Sequence, residues 1–312
     1  MILITGGSGY LGGRLAKYLL RFQSKRIVLS TKNKTYTPPA ILSNCEVRYL
    51  DVTDKDSVTN SFSGVTDVIH LASLNAQDSA NNPEEARTVN SEGAGNLVET
   101  AKRHDVKRFI YISTAHIYGS PLEGSIDEKT QSKATHPYAT SHFAAEKYVL
   151  SLLESSSITP TILRLSNAVG APISKEANCW MLVINDLVCQ VVRKNSMTFS
   201  SNKNVRRDFI AIQQVCMVIN HILNSNADKY KGVYNLGSGL SISLGDIGQL
   251  IADRAKEILE IQPKIFFDNN PDMQEKELYF SIEKIEREGV RIDNKLEAEI
   301  DNLLILSKQW FS

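Results

Sequence analysis

The chain opens on an apolar run, Ile2-Leu3-Ile4-Thr5, that passes directly into glycines at positions 6, 9 and 12 and then into an amphipathic stretch. A strand that hands over to a helix within so few residues leaves little freedom of fold. Gly6 lets the chain turn sharply, Gly9 lets backbone N–H groups approach a pyrophosphate, and Gly12 lets the helix lie close against the strand. Leu11, Leu15, Tyr18, Leu19 and Phe22 follow at helical spacing. An anion is favoured at such a helix start, because its first amides have no partner and the helix dipole is positive there. Gly6, Ser8, Gly9, Tyr10, Leu11 and Gly12 are therefore candidate cofactor contacts. The spacing is Gly-x-x-Gly-x-x-Gly, so the strand before it and the helix after it carry the reading more than the glycines do.

Apolar runs recur at 26–30, 46–50, 67–72, 107–113 and 160–165, separated by helical patterns. Thr53 or Asp54 caps a short helix, Pro83 opens one that runs through Asn90 and Leu97 to His104, and another spans about 139–155. This alternation implies an α/β fold built on a doubly wound parallel sheet of Rossmann type. After Ser166 the rhythm fades into helical stretches near 178–193, 213–224, 244–260 and 294–306, with short apolar runs at 232–236 and 264–267. The expected organisation is a dinucleotide-binding domain over 1–165, to which segments near 205–236 return, and a smaller, substrate-binding C-terminal lobe over most of 166–312.

Composition excludes several function classes. Lys plus Arg and Asp plus Glu both number 35 in the 312 residues, so no basic surface for nucleic acid or for a membrane is indicated. The four cysteines, Cys45, Cys179, Cys189 and Cys216, lack metal-ligand spacing, and no metal is expected. Met1 leads into a strand with no leader-like segment, and no apolar run reaches membrane length, which predicts a cytoplasmic protein. At the end of the second strand an acidic residue would accept a hydrogen bond from the ribose 2′-hydroxyl of NAD. Ser30, Thr31 and Lys32 stand there instead and suit a 2′-phosphate better, an expectation of NADP over NAD.

Two segments carry candidate chemistry: Ser113-Thr114-Ala115-His116-Ile117-Tyr118-Gly119 at the carboxyl end of the fifth strand, and His136-Pro137-Tyr138-Ala139-Thr140-Ser141-His142 opening the next helix. With the glycine stretch they resemble the extended short-chain dehydrogenase/reductase family, which includes nucleotide-sugar epimerases, dehydratases and reductases. The resemblance covers nearly the whole chain. It implies cofactor contacts at Asp51 and Val52, at Leu71, Ala72 and Ser73 after His70, at Asn90 and at Ile112. It implies catalytic roles for Thr114, four residues before the Tyr118-Gly119 pair, and for Tyr138. Asn167, in Arg164-Leu165-Ser166-Asn167-Ala168-Val169-Gly170, and Arg207, in Arg207-Asp208-Phe209-Ile210, match substrate-side elements, with Thr114 and His116 also facing substrate. Arg164, Asn167 and Arg207 suit a phosphorylated ligand.

Two departures from the family pattern stand out. The lysine expected four residues after the catalytic tyrosine, which holds the nicotinamide ribose and lowers the tyrosine's pKa, is His142 here, and Lys147 lies on another side of the helix. A neutral imidazole would orient the ribose without helping to ionise Tyr138; an imidazolium would help over a narrow pH range. The Asp-Glu pair that nucleotide-sugar 4,6-dehydratases carry after the catalytic Thr is Ala115-His116, which favours hydride chemistry at one carbon over dehydration. The resulting expectation is an NAD(P)-dependent enzyme acting on a nucleotide sugar, for surface polysaccharide, as a homodimer through helices around 84–104 and 139–155. Two alternatives stay open: a catalytically impaired dinucleotide sensor or scaffold, which His142 favours, and a reductase with an apolar pocket, which the arginines disfavour.

Overall fold

The computed structural model describes residues 1–155, 157–268 and 276–312. Strands β1 (Ile2–Thr5), β2 (Ile27–Thr31), β3 (Glu46–Tyr49), β4 (Asp67–His70), β5 (Arg108–Thr114), β6 (Thr159–Leu165) and β7 (Gly232–Leu236) form one parallel sheet in the order β7-β6-β5-β4-β1-β2-β3. Strand order reverses between β1 and β4, which opens a crevice at their carboxyl ends. The glycine loop after β1 and Leu71-Ala72 after β4 meet at this crevice.

Alternation along the strands divides the apolar residues between the two faces. Ile2, Ile4, Leu29, Ile69 and Ile110 pack with Leu15 and Leu19 of α1 (Tyr10–Phe22). Leu3, Val28, Val68 and Phe109 pack on the other side. Their partners include Val58 of α2 (Lys55–Ser61), Leu97 of α3 (Gly93–Lys102) and Val149 of α4 (Pro137–Leu150). Of the two candidates to cap α2, Asp54 does so, accepting from the Asp56 amide.

The helix expected over 83–104 ends at Lys102 and is widened into a π-helical turn over Arg87–Glu92 that carries Asn90. Such turns recur where a helix must aim a side chain away from its regular position. The stretch expected to be helical from 178 starts at Val183 as α5 (Val183–Lys194), because Leu182 is extended and Cys179 closes a tight turn before it. Trp180 packs edge-on against Trp310 and Phe311, inside the smaller lobe.

Helix α6 (Ile212–Asn224) returns to the main sheet beside α1, and β7 completes that sheet, whereas Arg206–Ala211 pairs with Asn167–Val169 and Ser241–Ser243 in a separate three-stranded sheet. Helices α5, α7 (Leu244–Leu259) and α8 (Leu296–Phe311) enclose the smaller core around Val188, Ile251 and Leu303. Among the described residues no helix is long and apolar enough to cross a membrane.

Candidate functional site

The loop after β1 is shaped for close approach. Gly6 has φ +65°, and a Cβ there would lie 3.0 Å from the Ala72 backbone. A Cβ on Gly12 would run into the Gly6 carbonyl oxygen and approach Gly7 Cα to 2.8 Å. Gly9 caps the start of helix α1 with no side-chain hydrogen bond and no acid lies in its first turn, so the Tyr10, Leu11 and Gly12 amides stay available to a ligand. This cradle fits a pyrophosphate. Tyr10 and Leu11 can contribute through the backbone alone: the Tyr10 hydroxyl donates to the Gly170 carbonyl at 2.9 Å, and Leu11 packs on the core.

At the adenosine end the 2′-phosphate expectation loses two of its three supports. Ser30 is 1% exposed and its hydroxyl has no partner among the described residues, because strand alternation turns it inward. The Thr31 hydroxyl accepts from Ser8 Oγ and from the Asn33 amide. Only Lys32 is exposed. Asp51 accepts from the amide and hydroxyl of Thr53 through one carboxylate oxygen, and Asn96 donates to the carbonyl of buried Val52.

At the other end, register builds a polar row across one sheet face. Thr5 lies opposite His70 and His70 opposite Tyr111. Thr5 Oγ1 accepts from the Leu71 and Ala72 amides at 3.1 and 3.2 Å, so its own proton goes to His70 Nδ1 at 2.8 Å. The His70 ring stacks on Tyr111 at 5.2 Å between centroids. Tyr111 Oη lies 2.7 Å from His142 Nδ1, and the His142 ring meets Tyr138 edge-on at 4.5 Å. His142 is 2% exposed, and its Nε2 has no partner among the described residues. Burial pushes His70 and His142 both down to about 3, so both are neutral at ordinary pH. Of the two forms expected for His142, this burial favours the neutral one. Lys147 is exposed over the Phe143 ring and does not take the vacated place.

The Tyr138 phenol is held above its ordinary pKa by burial, with a hydrogen bond from Thr114 acting in the opposite direction. Thr114 Oγ1 accepts from the His116 amide at 3.2 Å. Thr114 and Tyr138 are thus neighbours at the carboxyl end of β5. Ile112 packs into the sheet core and Ser73 is exposed on the loop after β4. Asn90 does not reach out to a ligand: its oxygen takes the Leu74 amide at 2.7 Å and its nitrogen donates to Ser141 Oγ at 3.0 Å, tying that loop to α4.

Of the residues expected on the substrate side, His116 is half-buried, with Nδ1 unpartnered among the described residues; burial and then the Arg207 charge lower its pKa. Arg207 is half-buried without an ion-pair partner among the described residues, and burial lowers its pKa. Asp208 points the opposite way and accepts from Ser166, Ser238 and Gly239; burial raises its pKa against those bonds. Asn167 donates to the Asp208 carbonyl. Arg164 departs from the expectation of a phosphorylated ligand: it is 7% exposed, grips both Glu146 oxygens at 3.0 and 2.7 Å, and donates to Tyr118 Oη at 2.8 Å. Sequence reasoning missed Tyr111 and Glu146. The available signals were polar residues at matching strand positions and the i, i+4, i+8 series Tyr138, His142, Glu146 on one helix face.

The family model described as "NAD dependent epimerase/dehydratase family" matches residues 2–237. The UDP-glucose 4-epimerase of Halalkalibacterium halodurans is 27% identical over 266 residues, covering 79% of this chain and 78% of that protein. The dTDP-glucose 4,6-dehydratase of Streptomyces niveus is 26% identical, covering 80% and 76%. The solved UDP-glucose 4-epimerase of Thermus thermophilus, a complex with NAD, superposes with a TM-score of 0.82 at 21% identity, covering 98% of each chain.

Proposed function

The chain belongs to the NAD dependent epimerase/dehydratase family of extended short-chain dehydrogenase/reductases, and from that membership we propose that it redox-modifies a nucleotide-activated sugar at one carbon, as an epimerase or a dehydrogenase/reductase. The observation that carries this reading is the Thr114–Tyr138 pair, joined through His142, Tyr111 and His70 to Thr5, the last residue before the glycine cradle. NAD, when bound, supplies the acceptor and donor of hydride. Tyr138 exchanges a proton with a sugar hydroxyl, Thr114 holds the same oxygen, and Arg207 offers an unpaired charge to the nucleotide diphosphate. Ala115-His116 provides no acid and base pair for eliminating water, which supports single-carbon chemistry over dehydration. Supply of activated sugar for surface polysaccharide and pairing of two copies through α3 and α4, where Tyr148 is 43% exposed, belong to the same proposal.

One observation favours the sensor reading: neutral His142 cannot ionise Tyr138 as a lysine would. Incubation with UDP-, dTDP- and GDP-hexoses and NAD⁺, followed by chromatography, separates the two. Interconversion or oxidation of at least one sugar is expected; tight NAD⁺ binding with no turnover of any would establish the sensor.

Because the Ser30 hydroxyl is buried in the sheet and the Thr31 hydroxyl is already bonded to Ser8 and Asn33, the cofactor proposed is NAD rather than NADP. Calorimetry should find NAD⁺ bound at least as tightly as NADP⁺. Lys32→Glu should weaken NADP⁺ alone, by about 10-fold or more if the lysine meets the phosphate with a charged hydrogen bond. A strong NADP⁺ preference that survives Lys32→Glu would refute this assignment.

A further inference from the structure

We propose that Tyr111 is a positioning residue for His142: its hydroxyl holds the imidazole with the proton on Nε2, presenting that proton to a hydroxyl of the cofactor's nicotinamide ribose. The role at Nε2 rests on the dinucleotide reading of the site; the tautomer does not. A lysine in this place needs no such help, since an ammonium carries three donors. A neutral imidazole has one proton and two nitrogens on which to carry it. With the proton on Nδ1, it would point at the Tyr111 oxygen and offer the ribose a bare acceptor.

Position decides between these forms. Tyr111 is 2% exposed, and its one recorded hydrogen-bond partner among the described residues is His142 Nδ1, 2.7 Å away. A buried phenol left without an acceptor is costly, so the phenol donates and Nδ1 accepts. The His142 proton then sits on Nε2, the buried nitrogen with no protein partner among the described residues, on a ring in contact with Tyr138. Tyr111 is itself fixed: it stands in β5, and its ring stacks on His70. His70 is in turn fixed by the Thr5 hydroxyl, which also binds the two amides after β4. The strand that begins the phosphate cradle thereby also sets the orientation of the ribose-side donor, which links the two ends of the cofactor site through a rigid row of side chains.

Two measurements test this. Histidine ¹⁵N shifts of the wild-type protein without added nucleotide should assign His142 as the Nε2–H form. An Nδ1–H form would overturn the proposal whether or not the protein binds NAD. Calorimetric NAD⁺ affinities for the wild type, Tyr111→Phe, His142→Ala and the double variant form a cycle. Tyr111→Phe should weaken NAD⁺ binding about three- to tenfold when His142 is present and leave it unchanged when His142 is Ala. Equal losses in both backgrounds, or none in either, would overturn the positioning role. A wild type that binds no NAD⁺ would overturn the cofactor reading and, with it, the role given to Nε2.

Discussion

Tyr138→Phe should lower kcat by about 10²- to 10⁴-fold, the range a positioned proton-transfer group contributes, while NAD⁺ affinity stays within a few-fold of wild type. The ring is retained, so its edge contact with His142 survives and only the hydroxyl proposed to exchange the proton is lost. The pH dependence follows from the direction of the shift. Burial raises the Tyr138 pKa above its ordinary value, and no cation figures among its causes, so the phenol is protonated at neutral pH. Sugar oxidation needs the phenolate, and its fraction grows about tenfold per pH unit below the pKa. Oxidation should therefore accelerate steadily from pH 7 upward, with no plateau before the alkaline limit of stability. His142→Lys restores a cation one turn away and should move this rise to lower pH. A flat profile above pH 7 in the wild type, or full turnover by Tyr138→Phe, would remove Tyr138 as the acid/base.

The parts of this protein that follow from local physics were legible in its sequence. The order of strands and helices and the tight turn after β1 come from apolar periodicity and glycine placement, which act over a few residues. The ends of side chains were less legible. Ser30 and Lys32 look equivalent in the sequence, yet one hydroxyl is turned into the sheet and the other residue's charge is left in solvent, because the strand that buries Ser30 ends before Lys32. Asn90 matches a cofactor-binding pattern, but a π-helical turn delivers its amide to Leu74 and Ser141. The Thr5–His70–Tyr111 row depends on the register of three strands separated by dozens of residues, which no local pattern reveals.

Arg164 gives the largest expected effect on stability rather than on chemistry. Its motif resembles a substrate-side element, yet the guanidinium is bound on both sides by Glu146, 1% exposed, and by Tyr118, whose hydroxyl passes the interaction to Asn235 Oδ1 at 2.6 Å. Removing one member of such a pair strands the other charge in the interior, at a cost of about 3–5 kcal/mol. Arg164→Met should therefore lower unfolding free energy by about that amount in urea titration, with NAD⁺ affinity of the folded fraction unchanged. Replacing Glu146 as well, in an Arg164→Met/Glu146→Leu double variant, should recover much of the loss, because apolar side chains of similar volume need no counter-charge. That recovery separates the phosphate-binding role expected from the sequence from the structural role that the Glu146 pair gives Arg164. A phosphate-binding arginine would raise the KM for the nucleotide sugar and gain nothing from the Glu146 substitution, whereas an arginine that locks α4 onto β6 loses stability alone and regains it when its partner goes. Wild-type stability of Arg164→Met together with a raised KM would return the residue to the substrate site.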